Sequence, residues 1–342
     1  MMDKKGVIES QFNWIFVFVI GALILLFFVG FVTTQKQQSE QRIGEKIAKD
    51  LNTIITQTSV STGRADVVNI PNKAIEFNCD PEGCGPHGCT SGFTISGTNV
   101  GWDTPVQPIF SPDLVKGMSL LSWSLEWSMP YHATNFLYLT SPQVRYVFVG
   151  GSGLINELYN ELPATINKEL SSSTISNKNN YKVKIISDSV PTLPPALVSI
   201  PDKDVVAIVI EEVDDESGKL IFYKKQGSGF LREGNADDVW YIGRPLLYGA
   251  IFSEDRANYE CNMKKALLRL HMATKVYKDV ADELSQTQPL VCQSHYDYAT
   301  ISQIDSNTQD LDLQKASTIY QNAVKVRGDN HNLKIYSCPL IY

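Results

Sequence analysis

The sequence has no excess of positive charge: 30 lysines and arginines stand against 37 aspartates and glutamates, a net of -7 over 342 residues. No Arg/Lys-rich stretch with interleaved aromatics occurs, so the electrostatic footprint of a nucleic-acid binder is missing. Asn-x-Ser/Thr sequons are absent too, which argues against a heavily N-glycosylated coat. Histidine is scarce. His87, His132, His271, His295 and His331 form no i, i+4 pair and no H-E-x-x-H, so neither a helical zinc-protease motif nor a Cys/His nucleophile signature is present. There is no internal repeat and no second apolar run of membrane length, which limits the chain to one spanning segment. No catalytic residue is legible and no cofactor is expected.

What the sequence does have lies near its start. Lys4-Lys5-Gly6 leads into an uncharged apolar run over residues 12–32, followed by Thr33-Thr34-Gln35-Lys36 rather than a small-residue cleavage site. A run of about 20 residues suffices to cross a bilayer as one helix, whereas a secretory signal has a shorter core of ~7–15 residues. A retained anchor is therefore expected, with the lipid bilayer as the first partner. Lys36, Arg42, Lys46 and Lys49 after the span outnumber Lys4 and Lys5 before it, but long domains translocate largely regardless of charge. The six cysteines are placed in loops and at element ends, which suits disulfides and hence an extracytoplasmic domain.

The helix is predicted to continue past the membrane. Residues 35–58 contain no proline, and Ile43, Ile47, Leu51, Ile54 and Ile55 recur at spacings of three and four, on one face. A helix over residues 12–56 would be ~65 Å long, about half of it beyond the ~30 Å hydrocarbon core. That outer half carries an apolar stripe needing cover, by the protein's own sheet or by another subunit. Gly44 interrupts the segment.

Downstream the expected organisation is a short tail (1–11), the span (12–32), the helical extension (33–58) and one α+β domain (59–342). Within that domain the pattern is β-rich over 59–150, α/β over 144–245 and helical over 246–342. A polar stretch at 59–63 precedes short strands at 67–70 and 74–77, split by Pro71-Asn72. The segment 79–89 is too rich in glycine and proline for a regular element. Leu121, Trp123, Leu125, Trp127 and Met129 alternate with Ser122, Ser124, Glu126 and Ser128, predicting a strand with one apolar and one polar face. Strands at 135–139 and 144–149 are expected to continue that sheet. A helical pattern follows (Ile155, Leu158, Leu162, Ile166, Leu170), with Pro163 marking a kink or fresh start. Strands at 182–186, 205–210, 220–223 and 239–242, with a Pro-rich connector at 191–201, make the middle β-α-β-β-β with at most one crossover that looks Rossmann-like. Helices are expected at 259–284 and 312–326, then a short apolar tail at 333–341.

Five features invite a chemical reading. Cys79, Cys84, His87 and Cys89 are the one metal-like group, although the x4 spacing crowds all four ligands of a tetrahedron into eleven residues. The alternative is a disulfide framework of Cys79, Cys84, Cys89, Cys261, Cys292 and Cys338. The pairing preferred is one bridge within the cluster, one from the cluster to Cys338, and Cys261 to Cys292, although sequence does not fix connectivity. Gly150, Gly151, Ser152 and Gly153 sit between a strand and a helix, where N–H groups can cradle an anion. They match neither a Walker loop nor a G-x-S-x-G elbow nor G-x-G-x-x-G, and a plain turn is the simpler account. The acidic run 211–218 offers oxygens to calcium but is also good hairpin-tip chemistry; the Asp305-Ser306-Asn307-Thr308 run lacks the glycine and glutamate of a calcium loop. Trp123 and Trp127, on one strand face, suit core packing better than a sugar platform.

Lys4-Lys5-Gly6, a short gap and a long apolar helix resemble the N-terminal segments of archaeal type IV pilin-like proteins. The resemblance covers about the first fifty-five residues and implies cleavage after Gly6, a helix running out of the membrane onto a β-rich head, and self-association or contact with another membrane-anchored subunit through that helix. The family's carboxylate at the fifth mature position falls on Gln11, with Glu9 two places early. The segments 135–142, 249–255 and 259–263 are similar to single-pass archaeal membrane proteins, which implies no activity. The expected fold is α+β, with a long N-terminal transmembrane helix extending into a β-rich mixed-sheet ectodomain and a helical C-terminal third. The expected role is structural or interactive, with a ligand-binding domain or ectoenzyme using the 150–153 turn as the alternative.

Overall fold

The computed structural model describes residues 5–58, 63, 65–70, 73–171, 180–214, 216–234 and 239–342. Lys4, most of the polar 59–63 stretch, the Pro71-Asn72 break and Asp215 of the acidic run lie outside the described residues. The architecture is α+β: a long apolar N-terminal helix, a β-rich mixed-sheet body and C-terminal helices. Helix α1 (Lys5–Thr58) is continuous for 54 residues, about 80 Å at 1.5 Å per residue. It is the one described helix long and apolar enough to cross a membrane. Its two halves differ in surroundings. Every described side chain from Trp14 to Val32 is exposed, whereas Ile47, Ala48, Leu51 and Ile55 are buried. They share one apolar cluster with Ile75, Phe77, Phe93, Ile95, Val115, Leu137 and Leu139. The stripe is thus covered by the protein's own sheets. Gly44 does not break the helix; it lets α1 approach the Thr98 side chain, which a Cβ there would meet at 3.0 Å.

The body begins with β1 (Ala65–Asn69), β2 (Ile75–Gly85), β3 (Gly88–Ile95), β4 (Gly101–Asp103), β5 (Ile109–Phe110), β6 (Leu114–Val115), β7 (Ser119–Ser128) and β8 (His132–Thr140). They form two four-stranded sheets, ordered β1-β7-β8-β5 and β4-β3-β2-β6. Strand β8 explains the layering. Leu137 and Leu139 face the α1 cluster, while the alternate residues Phe136 and Tyr138 face the main core, as the period of two requires. The sheet is therefore a middle layer, and Ser122 and Ser124 on β7 are buried rather than solvent-facing. That corrects the expected polar face.

Next come β9 (Val144–Val149), α2 (Gly153–Glu161), β10 (Lys168–Ser171), β11 (Lys182–Ser187), β12 (Val205–Asp214), β13 (Ser217–Gln226), β14 (Gly229–Arg232) and β15 (Val239–Ile242). They make a seven-stranded sheet ordered β10-β9-β11-β12-β13-β14, with β15 also on β13. Strand β9 belongs here and not to the sheet of β7 and β8. Strands β10, β9, β11 and β12 are mutually parallel, so each step from β9 to β12 is a crossover, the first of them through helix α2. The β11-to-β12 crossover uses the Pro-rich connector in place of a helix: Leu197, on a single 3-10 turn, seals a face made by Val147, Val183, Ile185, Val205 and Ala207. Helix α2 stops at Glu161, and Leu170 lies in β10, half exposed; Pro163 ends the helix instead of kinking it.

The last third holds α3 (Arg244–Phe252), α4 (Arg256–Thr287), α5 (Leu290–Gln293), α6 (Tyr298–Gln309) and α7 (Ala316–Ile335). Helix α4 runs across β2 and β8, and its Met263, Ala266, Leu267 and Leu270 join the same core as Trp127, Tyr138, Phe148 and Ile208. The three bridges are Cys79–Cys261, Cys84–Cys89 and Cys292–Cys338. One bridge does lie within the cluster, but the cluster's outside partner is Cys261, and Cys338 pairs with Cys292. The 79–89 segment also differs from expectation: β2 and β3 run through it as a hairpin, bulged between Cys79 and Cys84 and turning at Pro86-His87. Gly88 follows the turn at φ +125°, and a Cβ there would come within 2.7 Å of the Pro105 carbonyl.

Candidate functional site

The turn over residues 150–153 is built as its sequence suggests, but it is already filled. Gly150 has φ +143°. Ser152 caps α2, its hydroxyl accepting from the Ile155 N–H at 3.4 Å. The Ser152 N–H donates to the Asp188 carboxylate at 3.1 Å, and a Cβ on Gly150 would lie 2.6 Å from that carboxylate. Asp188 follows β11, the parallel neighbour of β9, so adjacent strand ends bring an internal anion onto the cradle. Gly151 and Gly153 face open space.

The other sequence candidates separate clearly. In the acidic run, Asp214 and Ser217 pair at a hairpin tip, with the Ser217 hydroxyl donating to Asp214 at 3.1 Å. Glu216 pairs with Arg327 at 3.0 Å. Asp305 and Thr308 are not in a loop but within α6, where Asp305 faces His271 at 3.1 Å and Lys278 at 3.0 Å from α4. Trp127 is fully buried, stacked on Phe136 with its N–H donating to the Ile242 carbonyl at 2.9 Å. Trp123 packs edge-on to Tyr248 at 4.9 Å. Both serve the core.

The cysteine cluster is more unusual. The hairpin β2–β3 and helix α4 bring two disulfides into contact: the Cys84 and Cys261 sulfurs, members of different bridges, are 3.9 Å apart. Among the described residues the converging ligand set is Cys84, Cys89 and Cys261, without His87, which is exposed at the hairpin tip. Cys79 borders an open groove of about 680 Å³ lined also by Glu76, Asn78, Asp113, Asp255 and Asn258.

Sequence reasoning missed a set of buried cations. Lys182 pairs with Glu254 inside the body. Lys184, fully buried, donates to the Phe252 carbonyl at 3.0 Å and to the Ser253 carbonyl at the end of α3, where helix carbonyls concentrate negative charge. Burial pulls its ammonium down to about 8. Lys265 on α4 is 1% exposed and donates to the Gln107 carbonyl at 3.2 Å; burial pulls it down to about 7. Lys225 spans the Val198 and Ile200 carbonyls and Asp202. The signal in the sequence was two lysines two apart inside an apolar strand, Lys182-Val183-Lys184-Ile185, which alternation alone assigns to solvent.

These arrangements hold helices and strands together by charge. No protein-family model matches the chain, and no curated protein or solved structure does.

Proposed function

We propose that this chain is a membrane-anchored structural or interaction protein, a pilin-like subunit or accessory component of a surface assembly, with its body outside the cytoplasm. One observation carries the reading: a single unbroken helix is bare over residues 14–32 and, further along, buries Ile47, Ala48, Leu51 and Ile55 in the body's core. A flexible tether would leave the body free to tumble; a helix shared between membrane and core fixes its height and orientation at the surface. Three cross-links support the oxidising side of the membrane. With the amphipathic half sealed by the protein's own sheets, assembly with a second copy or another anchored subunit falls to the bare half. There a close-packed apolar helix face, rather than a chemical group, sets the partner.

Membrane fractionation and crosslinking of the full chain test this together. The protein should stay in the pellet through alkaline carbonate, its body should be digested by protease added to spheroplasts, and Leu25→Cys should crosslink to a neighbouring anchored chain. Release by carbonate removes the anchor. Protease protection of the body reverses the topology. A purely monomeric Leu25→Cys reduces the role to that of a solitary anchored domain.

A further inference from the structure

We propose that the groove between β2 and the start of α4 is a docking site for an arginine side chain carried by a partner protein, its guanidinium held between the Asp113 carboxylate and the Asn258 amide oxygen. The groove, of about 680 Å³, falls within the roughly 300–1,000 Å³ usual for ligand sites. Its floor is the face of β2 and β3 turned away from the α1 cluster. Ile75, Phe77 and Phe93 enter that cluster, so Glu76 and Thr94, the alternate residues paired across the two strands, face the groove. The Asp113 carbonyl accepts from the Phe77 N–H at 2.8 Å and fixes one wall. The first turn of α4 makes the other, with Asp255 at its cap and Asn258 beyond.

Two observations of different kinds point to the occupant. The first is a buried acceptor. Asn258 lines the groove at 5% exposure, and among the described residues its side-chain oxygen has no hydrogen-bond partner; a donor entering the groove relieves that cost. The second is charge. Glu76, Asp113 and Asp255 line the groove, and no lysine, arginine or histidine does. Protein groups already engage two of these carboxylates. The Ser96 hydroxyl donates to Glu76 at 2.6 Å, and Asp255 accepts from the Asn258 N–H at 2.9 Å and from Lys224 at 3.0 Å. Glu254, which accepts from the Asp113 N–H at 3.3 Å, is itself taken by Lys182. The Asp113 carboxylate, exposed to the groove, has neither a donor nor a cation on it among the described residues. Desolvation between the groove walls, with Glu254 and Asp255 nearby, holds its acid up at about 6 against the opposing pull of Lys182 and Lys184, as befits a carboxylate short of positive charge.

The form of the cation follows from the spread of these acceptors. Ca²⁺ takes about six to eight oxygens at roughly 2.3–2.6 Å. Among the described residues no three carboxylates bring oxygens within 4.8 Å of one another, so the acidic lining is too dispersed for one ion. An ammonium is a compact, strongly hydrated charge, whereas a guanidinium is planar, more weakly hydrated and carries its N–H donors in a fork. The fork gives a carboxylate two parallel bonds and leaves donors for a second acceptor. Asp113 and Asn258, on opposite walls, are such a pair. Leu114 beside Asp113 and Ala257 beside Asn258 offer apolar surface to the (CH₂)₃ stem. No residue of α1 lines the groove. The site therefore goes beyond the membrane-side assembly proposed for that helix, and the two readings fail separately.

The test uses the full, oxidised chain in detergent, with backbone amide shifts followed by NMR and the end-blocked peptide Gly-Gly-Arg-Gly-Gly as probe. Saturable shifts should appear at residues 76–79, 94, 113–114 and 255–258. Asp113→Asn should weaken binding about tenfold or more, as loss of a charge-assisted bond does. Asp282→Asn removes an exposed acid at the far end of α4 and should leave the affinity unchanged, which separates the site from general attraction to a chain of net charge -7. The peptide with citrulline for arginine, nearly isosteric and uncharged, should not bind, and the lysine peptide should bind more weakly. Asn258→Ala should also weaken binding; because that change can lower stability too, the shifts of the unmutated chain and the Asp113→Asn result are decisive by themselves. No saturable shift up to millimolar peptide, or equal losses in Asp113→Asn and Asp282→Asn, would overturn the site. A citrulline or lysine peptide as tight as the arginine one, or Ca²⁺ shifting the same amides and displacing the peptide, would overturn the guanidinium as its occupant.

Discussion

Leu51→Ala tests the docking of α1 most directly. Leu51 is 1% exposed, in a cluster with Phe77, Phe93, Ile95, Leu137 and Leu139. Truncating a leucine in such a place costs about 2–5 kcal/mol, the lost transfer energy plus the cavity left behind. A body of this size shifts by about 2 °C per kcal/mol, so the melting temperature should fall by about 4–10 °C. Ile47→Asp, at a site 2% exposed, should do more, because it adds a buried, unpaired carboxylate. The assay is near-UV circular dichroism of the full chain in detergent, reporting on the buried Trp123 and Trp127, with light scattering alongside. Leu25→Ala, on the bare half, is the control and should leave the transition unchanged. The same reasoning sets the consequence of cutting the chain. A body beginning at Gln35 keeps Ile47, Leu51 and Ile55, whereas one beginning at Ala65 loses all three. At roughly 1.5–3 kcal/mol per side chain, the loss is about 5–9 kcal/mol, comparable to the whole stability of an ordinary domain. An unchanged melting temperature for Leu51→Ala and Ile47→Asp, with loss of an oligomer instead, would refute the reasoning and assign the cover to another subunit.

Peptide mapping of the oxidised chain should recover Cys79–Cys261, Cys84–Cys89 and Cys292–Cys338, with alkylation blocked until reductant is added; by the loop-entropy relation the first bridge is worth about 5 kcal/mol and the third about 4. Lys265→Met should stabilise the oxidised protein in acid. The folded ammonium titrates near 7 and the unfolded one near 10.5, so the unfolded state holds more protons between these values and wild-type stability rises with pH through that window. Denaturant titrations at pH 6 and pH 10 should therefore show an advantage for Lys265→Met at pH 6 that narrows at pH 10, and an equal difference at both would show that the ammonium is solvated. Gly150→Ala should lower the melting temperature through its positive φ and the Asp188 carboxylate, while Gly153→Ala, facing open space, should be neutral; equal effects at the two positions would remove Asp188 from the turn.

The sequence by itself determined the features set by short-range periodicity and length. A 21-residue apolar run and a stripe at spacings of three and four depend on nothing distant, so the single long helix and its buried face were legible at Ile47, Leu51 and Ile55. The strands at 182–186, 205–210, 220–223 and 239–242 were legible for the same reason. Tertiary structure decided everything that depends on which surfaces meet. Whether the stripe is covered by the protein's own sheet or by a partner is a property of Leu137 and Leu139, some ninety residues away. Ser122 and Ser124 alternate like solvent-facing residues yet are buried, because β7 lies between two cores. The glycines and prolines of 79–89 signalled a loop, but the bulge and the Cys84–Cys89 pairing hold it in a hairpin. Cys79 finds Cys261 across 182 residues, a match that loop closure permits for many partners and only the packing of α4 on β2 selects. Likewise Lys184 and Lys265 look like surface charge until the carbonyls of α3 and of Gln107 arrive from elsewhere in the chain. Local patterns fix backbone conformation; the partners of buried polar and sulfur groups are fixed only when distant segments pack.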